Sequence, residues 1–202
     1  GFRRDLGLRI ESKYFGKLLS GAVARNLIRT MFVNKGAADK LANRPKNVPK
    51  SKVAKLGVLG AGMMGAGIAY VSAAAGIEVV LKDVSIEAAE KGKAYSAKLL
   101  DKKVSKGHMT AEKRDAFLAR IKPTASDADL EGCDLIIEAV FEDRALKGKV
   151  TAAAEAAALP EAVIASNTST LPITGLATAV QKQDKFIGLH FFSPVDKMPL
   201  VE

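Results

Sequence analysis

A histidine and a carboxylate near the end of the sequence could work as a base and its partner. His190 lies in the apolar run 186–192, and Glu202 follows twelve residues later. A neutral imidazole can take the proton of an alcohol, because its unperturbed pKa of about 6.5 lies near neutral pH. A carboxylate can fix the tautomer of the ring and stabilise the imidazolium that forms. A lone histidine is more often structural, so this chemistry also needs a cofactor or substrate site nearby.

A glycine-rich turn upstream predicts such a site. Residues 60–65 read Gly-Ala-Gly-Met-Met-Gly, which is the G-x-G-x-x-G pattern. In isolation this pattern could be only a turn. Here an apolar segment precedes it, small residues follow it, and Asp83 ends the next apolar segment. In a dinucleotide site the glycines allow a tight turn and close approach of a pyrophosphate, and the acid binds the adenosine ribose. The predicted cofactor contacts here are Gly60, Gly62, Met63, Met64, Gly65 and Asp83.

Asp83 also bears on which dinucleotide is expected. Its negative charge would repel a 2′-phosphate, so NAD is favoured over NADP. Lys82 weakens this preference, because an ammonium group could attract a phosphate. The alternative role for Asp83 is a helix N-cap in a strand–helix turn.

Further polar residues follow the apolar segment 135–140. Ala139 and Glu142 come at its end, and Lys147 lies on the helix predicted next. Ligands of open α/β sheets bind at the carboxyl ends of the strands, so we expect these residues beside the nicotinamide half of the cofactor. The alternative is that Glu142 and Asp143 only complement the dipole of the following helix.

A third polar group follows the apolar segment 162–166. Residues 166–170 read Ser-Asn-Thr-Ser-Thr, and Ser169 or Asn167 could hold the oxygen of a substrate. Asn167 is also predicted to contact the cofactor. An ordinary capping turn is the alternative. Other chemistries fit poorly, because Cys133, His108 and His190 show no metal-ligand spacing and no G-x-S-x-G nucleophile elbow is present.

The elements that must position these residues alternate between strand and helix. Strands are predicted at 53–59, 77–81, 135–140, 162–166 and 186–192, and helices at 66–75, 86–104, 110–121, 144–158 and 173–180. This alternation predicts an α/β fold of Rossmann type, with a doubly wound and mostly parallel sheet. Apolar residues at helical spacing over 15–32 predict an amphipathic helix before it, and residues 43–52 form a linker. We therefore expect an arm at 1–51 and an NAD-binding domain at 52–202.

Charge is concentrated in the arm. Residues 1–55 carry fourteen Lys and Arg against three Asp and Glu, whereas the whole chain has a net charge of +9. Such an arm could bind nucleic acid or an anionic membrane, but no nucleic-acid motif accompanies it, so a solvated helix face is favoured. The single cysteine, Cys133, rules out an internal disulfide. No apolar run is long enough to span a bilayer.

Several motifs together resemble the NAD-binding domain of L-3-hydroxyacyl-CoA dehydrogenases. They are residues 58–65, 137–142, 166–169, 188–195 and 200–202. The arm resembles the segment that joins a hydratase/isomerase domain to the dehydrogenase in multifunctional β-oxidation proteins, such as the fatty oxidation complex α subunit.

This resemblance implies oxidation of (S)-3-hydroxyacyl-CoA to 3-ketoacyl-CoA with NAD⁺. His190 matches the catalytic base, Glu202 its partner, and Ser169 the serine at the substrate hydroxyl. Asp83 matches the ribose ligand; the other matching cofactor contacts are Ala139, Glu142 and Lys147. Ser193 stands where the family usually has Asn. The helical domain that normally follows is missing, so we expect this piece to bind NAD(H) but to turn over substrate poorly.

The resemblance also implies partners and a compartment. An acyl-CoA substrate is expected for the full-length protein, with a thiolase subunit and homo-oligomerisation as further contacts. The bacterial cytoplasm is the expected location, with the mitochondrial matrix and the peroxisome left open. Two other functions stay open: a non-catalytic NAD(H)-binding or structural protein on the same fold, and a dehydrogenase for 3-hydroxybutyryl-CoA or a β-hydroxy acid.

Overall fold

The computed structural model describes residues 2–202 and divides the chain into two compact units, residues 1–51 and 52–202. The first unit is helical. Its elements are α1 (Phe2–Leu19), α2 (Ala22–Ile28), a π-helical segment (Arg29–Asn34) and α3 (Lys35–Asp39).

The expected helix over 15–32 is interrupted at residues 20 and 21. Ser20 Oγ donates a hydrogen bond to the Gly16 carbonyl at 2.9 Å, and Gly21 takes an extended conformation before α2. A hydroxyl that bonds to the preceding turn competes with helix continuation, and glycine loses more conformational entropy in a helix than other residues do. The apolar residues Leu18, Val23 and Phe32 are exposed.

The second unit is built on a six-stranded sheet in which every pairing is parallel. Its strands are β1 (Lys55–Leu59), β2 (Glu78–Lys82), β3 (Ile121–Thr124), β4 (Leu135–Glu138), β5 (Val163–Ser166) and β6 (Phe186–Gly188). Its helices are α4 (Met63–Ala74), α5 (Ile86–Ser105), α6 (Ala111–Ala119), α7 (Arg144–Ala157) and α8 (Ile173–Ala177), with 3₁₀ turns at Asp127–Leu130 and Gln183–Lys185.

The strand order is β3-β2-β1-β4-β5-β6, so the direction of winding reverses between β1 and β4. This order confirms the predicted doubly wound fold, whose ligand crevice lies at the carboxyl ends of the strands at that reversal. Apolar side chains cover both faces of the sheet. One face packs Val58, Leu81 and Ile137, and the other packs Val80 and Ile136.

Strand β3 was not expected from the sequence. The predicted helix over 110–121 ends at Ala119, and the chain then runs as an edge strand through Ile121–Thr124. This strand is only four residues long and contains Pro123, which lacks the N–H that a ladder needs. Proline is tolerated at the edge of a sheet, and the edge position of β3 explains why the strand survives.

Strand β6 is shorter than predicted, and the expectation that His190 lies on a strand is wrong. The strand ends at Gly188, and His190 lies two residues beyond it. From there the chain turns back on itself. His190 N–H donates to the Glu202 carbonyl at 2.8 Å, and Glu202 N–H donates to the His190 carbonyl at 3.0 Å. This antiparallel return brings Glu202 beside His190.

Candidate active site

The glycine turn joins β1 to α4 at the winding reversal. Gly60 has φ of +92°, and a Cβ there would lie 2.7 Å from the Ala139 carbonyl oxygen. A Cβ on Gly65 would lie 1.7 Å from the Gly60 carbonyl oxygen. Both glycines are therefore required by the packing of this turn.

Gly62 differs from its neighbours, since a Cβ there would have no protein atom within 4 Å. It precedes the first residue of α4, where helix N–H groups are free to bind an anion. The open space beside Gly62 is what a bound pyrophosphate would fill.

A cavity of about 560 Å³ extends from this turn. It is largely apolar, and its lining includes Gly60, Gly62, Met63, Met64, Lys82, Asp83, Val84, Ala139, Val140 and Phe141. The combination of an apolar cleft, a carboxylate and an open helix N-terminus fits the adenosine and pyrophosphate of a dinucleotide.

Asp83 ties the glycine turn to the end of β2. Its Oδ2 accepts from the N–H of Ala61 at 2.6 Å, and its Oδ1 accepts from the N–H of Val84 at 2.7 Å. Each oxygen keeps a further lone pair for a ribose hydroxyl. The alternative of a helix N-cap is wrong, because Ser85 caps α5 by accepting from the N–H of Ala88.

A second cavity of about 360 Å³ adjoins the first and shares Met64, Ala139 and Val140 with it. Its other lining residues are Glu142, Lys147, Asn167, Ser169, His190, Phe191, Phe192 and Ser193. The polar residues that the sequence singled out after three different segments therefore meet in one space.

His190 is held by its backbone and by its neighbours. Its Nδ1 lies 3.6 Å from Glu202 Oε2, slightly beyond hydrogen-bond distance, and its ring packs edge-on against Phe192 with centroids 4.7 Å apart. Asn167 Oδ1 accepts from the N–H of Phe191 at 2.8 Å, so this amide fixes the segment next to the histidine. The ring is half-buried and opens into the second cavity.

Glu142 organises the loop that carries Ser169. Its Oε1 accepts from the Thr168 hydroxyl, from the N–H of Ser169 at 3.2 Å and from the hydroxyl of Thr170 at 3.1 Å. The alternative was that Glu142 and Asp143 only complement the dipole of the following helix. It is wrong for Glu142, which binds this loop. It is right for Asp143, whose side chain caps α7 by accepting from the N–H of Leu146.

The capping alternative for residues 166–170 holds only for a local turn, in which Thr168 Oγ1 accepts from the N–H of Leu171 at 3.0 Å. No side chain caps helix α8, which begins after Pro172. The hydroxyls of Ser166 and Thr168 also donate to Glu138 and Glu142. The polar loop is thus bound to carboxylates at the carboxyl ends of the strands.

A buried ion pair beneath this loop was missed by the sequence analysis. Glu138, at the end of β4, is 0% exposed, and Lys147 on α7 is 2% exposed. Lys147 Nζ donates to Glu138 Oε1 at 2.8 Å and to the Val140 carbonyl at 3.2 Å, and it lies 3.1 Å from Glu142 Oε2. Ser166 Oγ donates to Glu138 Oε2 at 2.6 Å. An acid ending an otherwise apolar strand was the signal that could have revealed Glu138.

Three acceptors therefore surround the ammonium group of Lys147. All its protons therefore have acceptors within the protein. One of these acceptors is Glu142, which also accepts the hydrogen bonds that fix the Ser169 loop. The structure places Lys147 beside the second cavity but gives it this internal role.

The contacts of Glu142 lead to a pH-dependence prediction. Burial alone would raise its pKa, but hydrogen bonds from Thr168 and Lys147 and the charge of Lys147 outweigh it and lower the pKa from 4.5 to about 2. The ionised form is thus favoured by folding. We expect this contribution to stability to be complete above about pH 4.5 and to be lost as the pH falls toward about 2.

Urea unfolding across this acidic range, for the wild type and Glu142→Gln, checks the prediction. The difference in stability between the two should shrink as the pH falls. Glu90→Gln, at an exposed position of α5, serves as the control and should leave the acid dependence unchanged. A constant difference between wild type and Glu142→Gln over the range would contradict the assigned role.

Other kinds of site find little support in the described part of the chain. Across residues 2–202 there is no cluster of His, Cys, Asp or Glu suited to a metal ion. Cys133 is buried, and its burial raises the thiol pKa to about 11, so it is a poor nucleophile. None of the described helices is long and apolar enough to cross a membrane.

The geometry of the site agrees with the protein family that the sequence matches. The family model described as "3-hydroxyacyl-CoA dehydrogenase, NAD binding domain" matches residues 55–202. The chain belongs to this family. The expected family and its cofactor, NAD, are thereby confirmed.

Similar proteins point the same way. The fatty acid oxidation complex subunit alpha of Pseudomonas paraeruginosa is 43% identical over 201 residues, which cover 100% of this chain and 28% of that protein. The chain thus spans 28% of the length of this curated relative.

Two solved structures share the fold of the second unit. The (S)-3-hydroxybutyryl-CoA dehydrogenase of Ralstonia eutropha matches with a TM-score of 0.70 and 41% identity, over 74% of this chain and 53% of that chain. The 3-hydroxybutyryl-CoA dehydrogenase of Escherichia coli matches with a TM-score of 0.71 and 35% identity, over 75% and 32%. Both are dehydrogenases of hydroxyacyl-CoA esters, in keeping with the family.

Proposed function

We propose that residues 52–202 form the NAD-binding and catalytic part of a dehydrogenase that oxidises (S)-3-hydroxyacyl-CoA to 3-ketoacyl-CoA in fatty acid β-oxidation. The observation that carries this proposal is the shared wall of the two cavities. The cavity at the glycine turn suits the adenosine half of NAD, and the adjoining cavity contains His190 and Ser169. When bound, NAD⁺ supplies the hydride acceptor for the carbon that bears the hydroxyl group.

His190 acts as the base in this proposal. With Nδ1 facing Glu202 at 3.6 Å, a proton on Nδ1 leaves Nε2 free to take the proton of the substrate hydroxyl. The carboxylate then stabilises the imidazolium. Catalytic pairs are often loose before substrate binds. We therefore expect the 3.6 Å distance between His190 Nδ1 and Glu202 Oε2 to shorten to hydrogen-bond distance when substrate is bound.

Ser169 and the loop around it position the substrate oxygen. Ser169 lines the same cavity as His190, and its backbone N–H donates to Glu142 Oε1. Ser193, where the family usually has Asn, lies at the rim beside Met63, with its Oγ 3.9 Å from the sulfur.

The remaining assignments are proposals as well. We assign residues 1–51 to a helical arm with a basic linker and residues 52–202 to the NAD-binding domain. The acyl-CoA substrate, the thiolase partner, homo-oligomerisation and a bacterial cytoplasmic location are proposed for a protein of the relatives' length. For the 202-residue chain alone we propose NAD(H) binding with poor turnover.

Gly62→Ala tests the cofactor site. The methyl group would meet no protein atom within 4 Å, so we expect unfolding by urea to be unchanged. It would occupy the space proposed for the pyrophosphate, so we expect NADH affinity to fall by about tenfold or more, since glycine here permits close backbone approach. Titration of NADH followed by fluorescence measures the affinity.

Gly36→Ala is the control for this prediction, because a Cβ there also meets no atom within 4 Å and the residue lies in α3. It should leave NADH affinity unchanged. Equal NADH binding by Gly62→Ala and the wild type would remove the glycine turn as the site of the pyrophosphate.

A further inference from the structure

A second charged residue lies beside Asp83 in the adenosine cavity. Of the described residues that line the adenosine cavity, Lys82 is the one cation, and it lies directly before Asp83 at the end of β2. A free ammonium group at this place would attract the 2′-phosphate of NADP, as basic side chains do in NADP-binding proteins of this fold. Whether the ammonium group of Lys82 is free or paired therefore affects the choice between NAD and NADP.

The structure pairs Lys82 with an acid from another element. Its Nζ lies 3.1 Å from Oδ1 of Asp127, in the 3₁₀ turn that follows the edge strand β3. The Lys82 side chain is mostly buried, whereas that of Asp127 is exposed. The neighbouring acid Asp129 is already engaged by Lys122 and Thr124, so Asp127 is the carboxylate that neutralises Lys82.

We propose that Asp127 is a specificity-determining residue that prevents Lys82 from binding a 2′-phosphate. Asp83 repels the phosphate directly, and Asp127 removes the attraction that its neighbouring lysine would otherwise supply. The inference rests on the cofactor site of the proposed function, but it does not depend on His190 or on substrate oxidation.

The test uses probes that contain only the adenosine half of the cofactor. ADP-ribose and 2′-phospho-ADP-ribose are titrated calorimetrically into the wild type, Asp127→Asn, Lys82→Gln and the double variant Asp127→Asn/Lys82→Gln. Asp101→Asn is the matched control, because it removes the same charge from an exposed ion pair, with Arg114, outside the cavity. Thermal melting verifies that each variant is folded.

We expect Asp127→Asn to bind 2′-phospho-ADP-ribose about two- to fivefold more tightly than the wild type does, within the range set by exposed ion pairs. Its affinity for ADP-ribose should stay the same. The gain should vanish in the double variant and be absent in Asp101→Asn.

Two results would overturn the inference: no gain in Asp127→Asn, or a gain that persists in the double variant without Lys82. Failure of the wild type to bind ADP-ribose would also overturn it, because the cavity would then not be an adenosine site. If ADP-ribose binds as expected but residues 55–202, placed in a protein of the relatives' length, support no oxidation of hydroxyacyl-CoA, only the proposed dehydrogenase function would be defeated.

Discussion

Replacing His190 with glutamine is expected to lower kcat for 3-hydroxyacyl-CoA oxidation by about 10²–10⁴-fold, the usual contribution of a general base. Glutamine keeps a polar side chain of similar reach but cannot take a proton at neutral pH. The backbone bonds between His190 and Glu202 do not involve the ring, so the segment should keep its shape. NADH affinity should therefore stay close to that of the wild type.

The activity is best measured in a chimera, because we propose that this chain alone turns over substrate poorly. The chain spans 28% of the length of the Pseudomonas relative. Residues 55–202 would replace the matching segment of that protein, and oxidation of a 3-hydroxyacyl-CoA would be followed by the absorbance of the NADH formed. His108→Gln is the control, since His108 is exposed and lies outside both cavities. Full turnover by the His190→Gln chimera would eliminate the proposed base, and a loss in the control would show a general effect of histidine removal.

Replacing Lys147 with methionine is expected to destabilise the fold by about 3–5 kcal/mol, the cost of removing one partner from a buried ion pair. Glu138 is fully buried and would lose the ammonium group 2.8 Å from its Oε1. Glu142 would lose its cation too, so the Ser169 loop should also loosen.

Urea unfolding measures this effect, and two variants make it specific. Lys185→Met removes a lysine from the pair with the exposed Glu161, where a change of at most about 1 kcal/mol is expected. Glu138→Gln/Lys147→Met removes both buried charges and should recover part of the stability, because the charge left alone is what destabilises the single variant. A Lys147→Met protein as stable as Lys185→Met would refute the assigned role.

Much of the fold could be predicted from local patterns. The apolar segments that became β1, β2, β4 and β5 were located to within about two residues at each end, and G-x-G-x-x-G fell at the expected strand–helix turn. Failures came where local patterns were weak. β3 has four residues, including Lys122 and Pro123, and so lacks the apolar pattern of a buried strand.

The candidate site shows the same division between local and distant information. The sequence marked Ser169 and Glu142 because each follows a predicted strand, and parallel strands end at one edge. It marked His190 because an imidazole with a nearby carboxylate could act as a base. It left the partners of Glu142, Asp83 and the loop 166–170 open between several roles. It did not mark Glu138 at all, since one acid at the end of an apolar strand resembles many surface positions.

The sequence by itself determined the parallel α/β fold, the glycine turn, the acid at the end of β2 and the family, because these depend on spacing along a short stretch of chain. Only the tertiary structure decided which charges pair: Lys147 with Glu138, and Lys82 with Asp127. Such pairs join different elements, and their geometry depends on which strands become neighbours and which faces the helices cover. The pairing of β2 with β3 brings Asp127 to 3.1 Å from Lys82. The position of α7 beside β4 brings Lys147 to 2.8 Å from Glu138, a distance at which electrostatic interactions are strong.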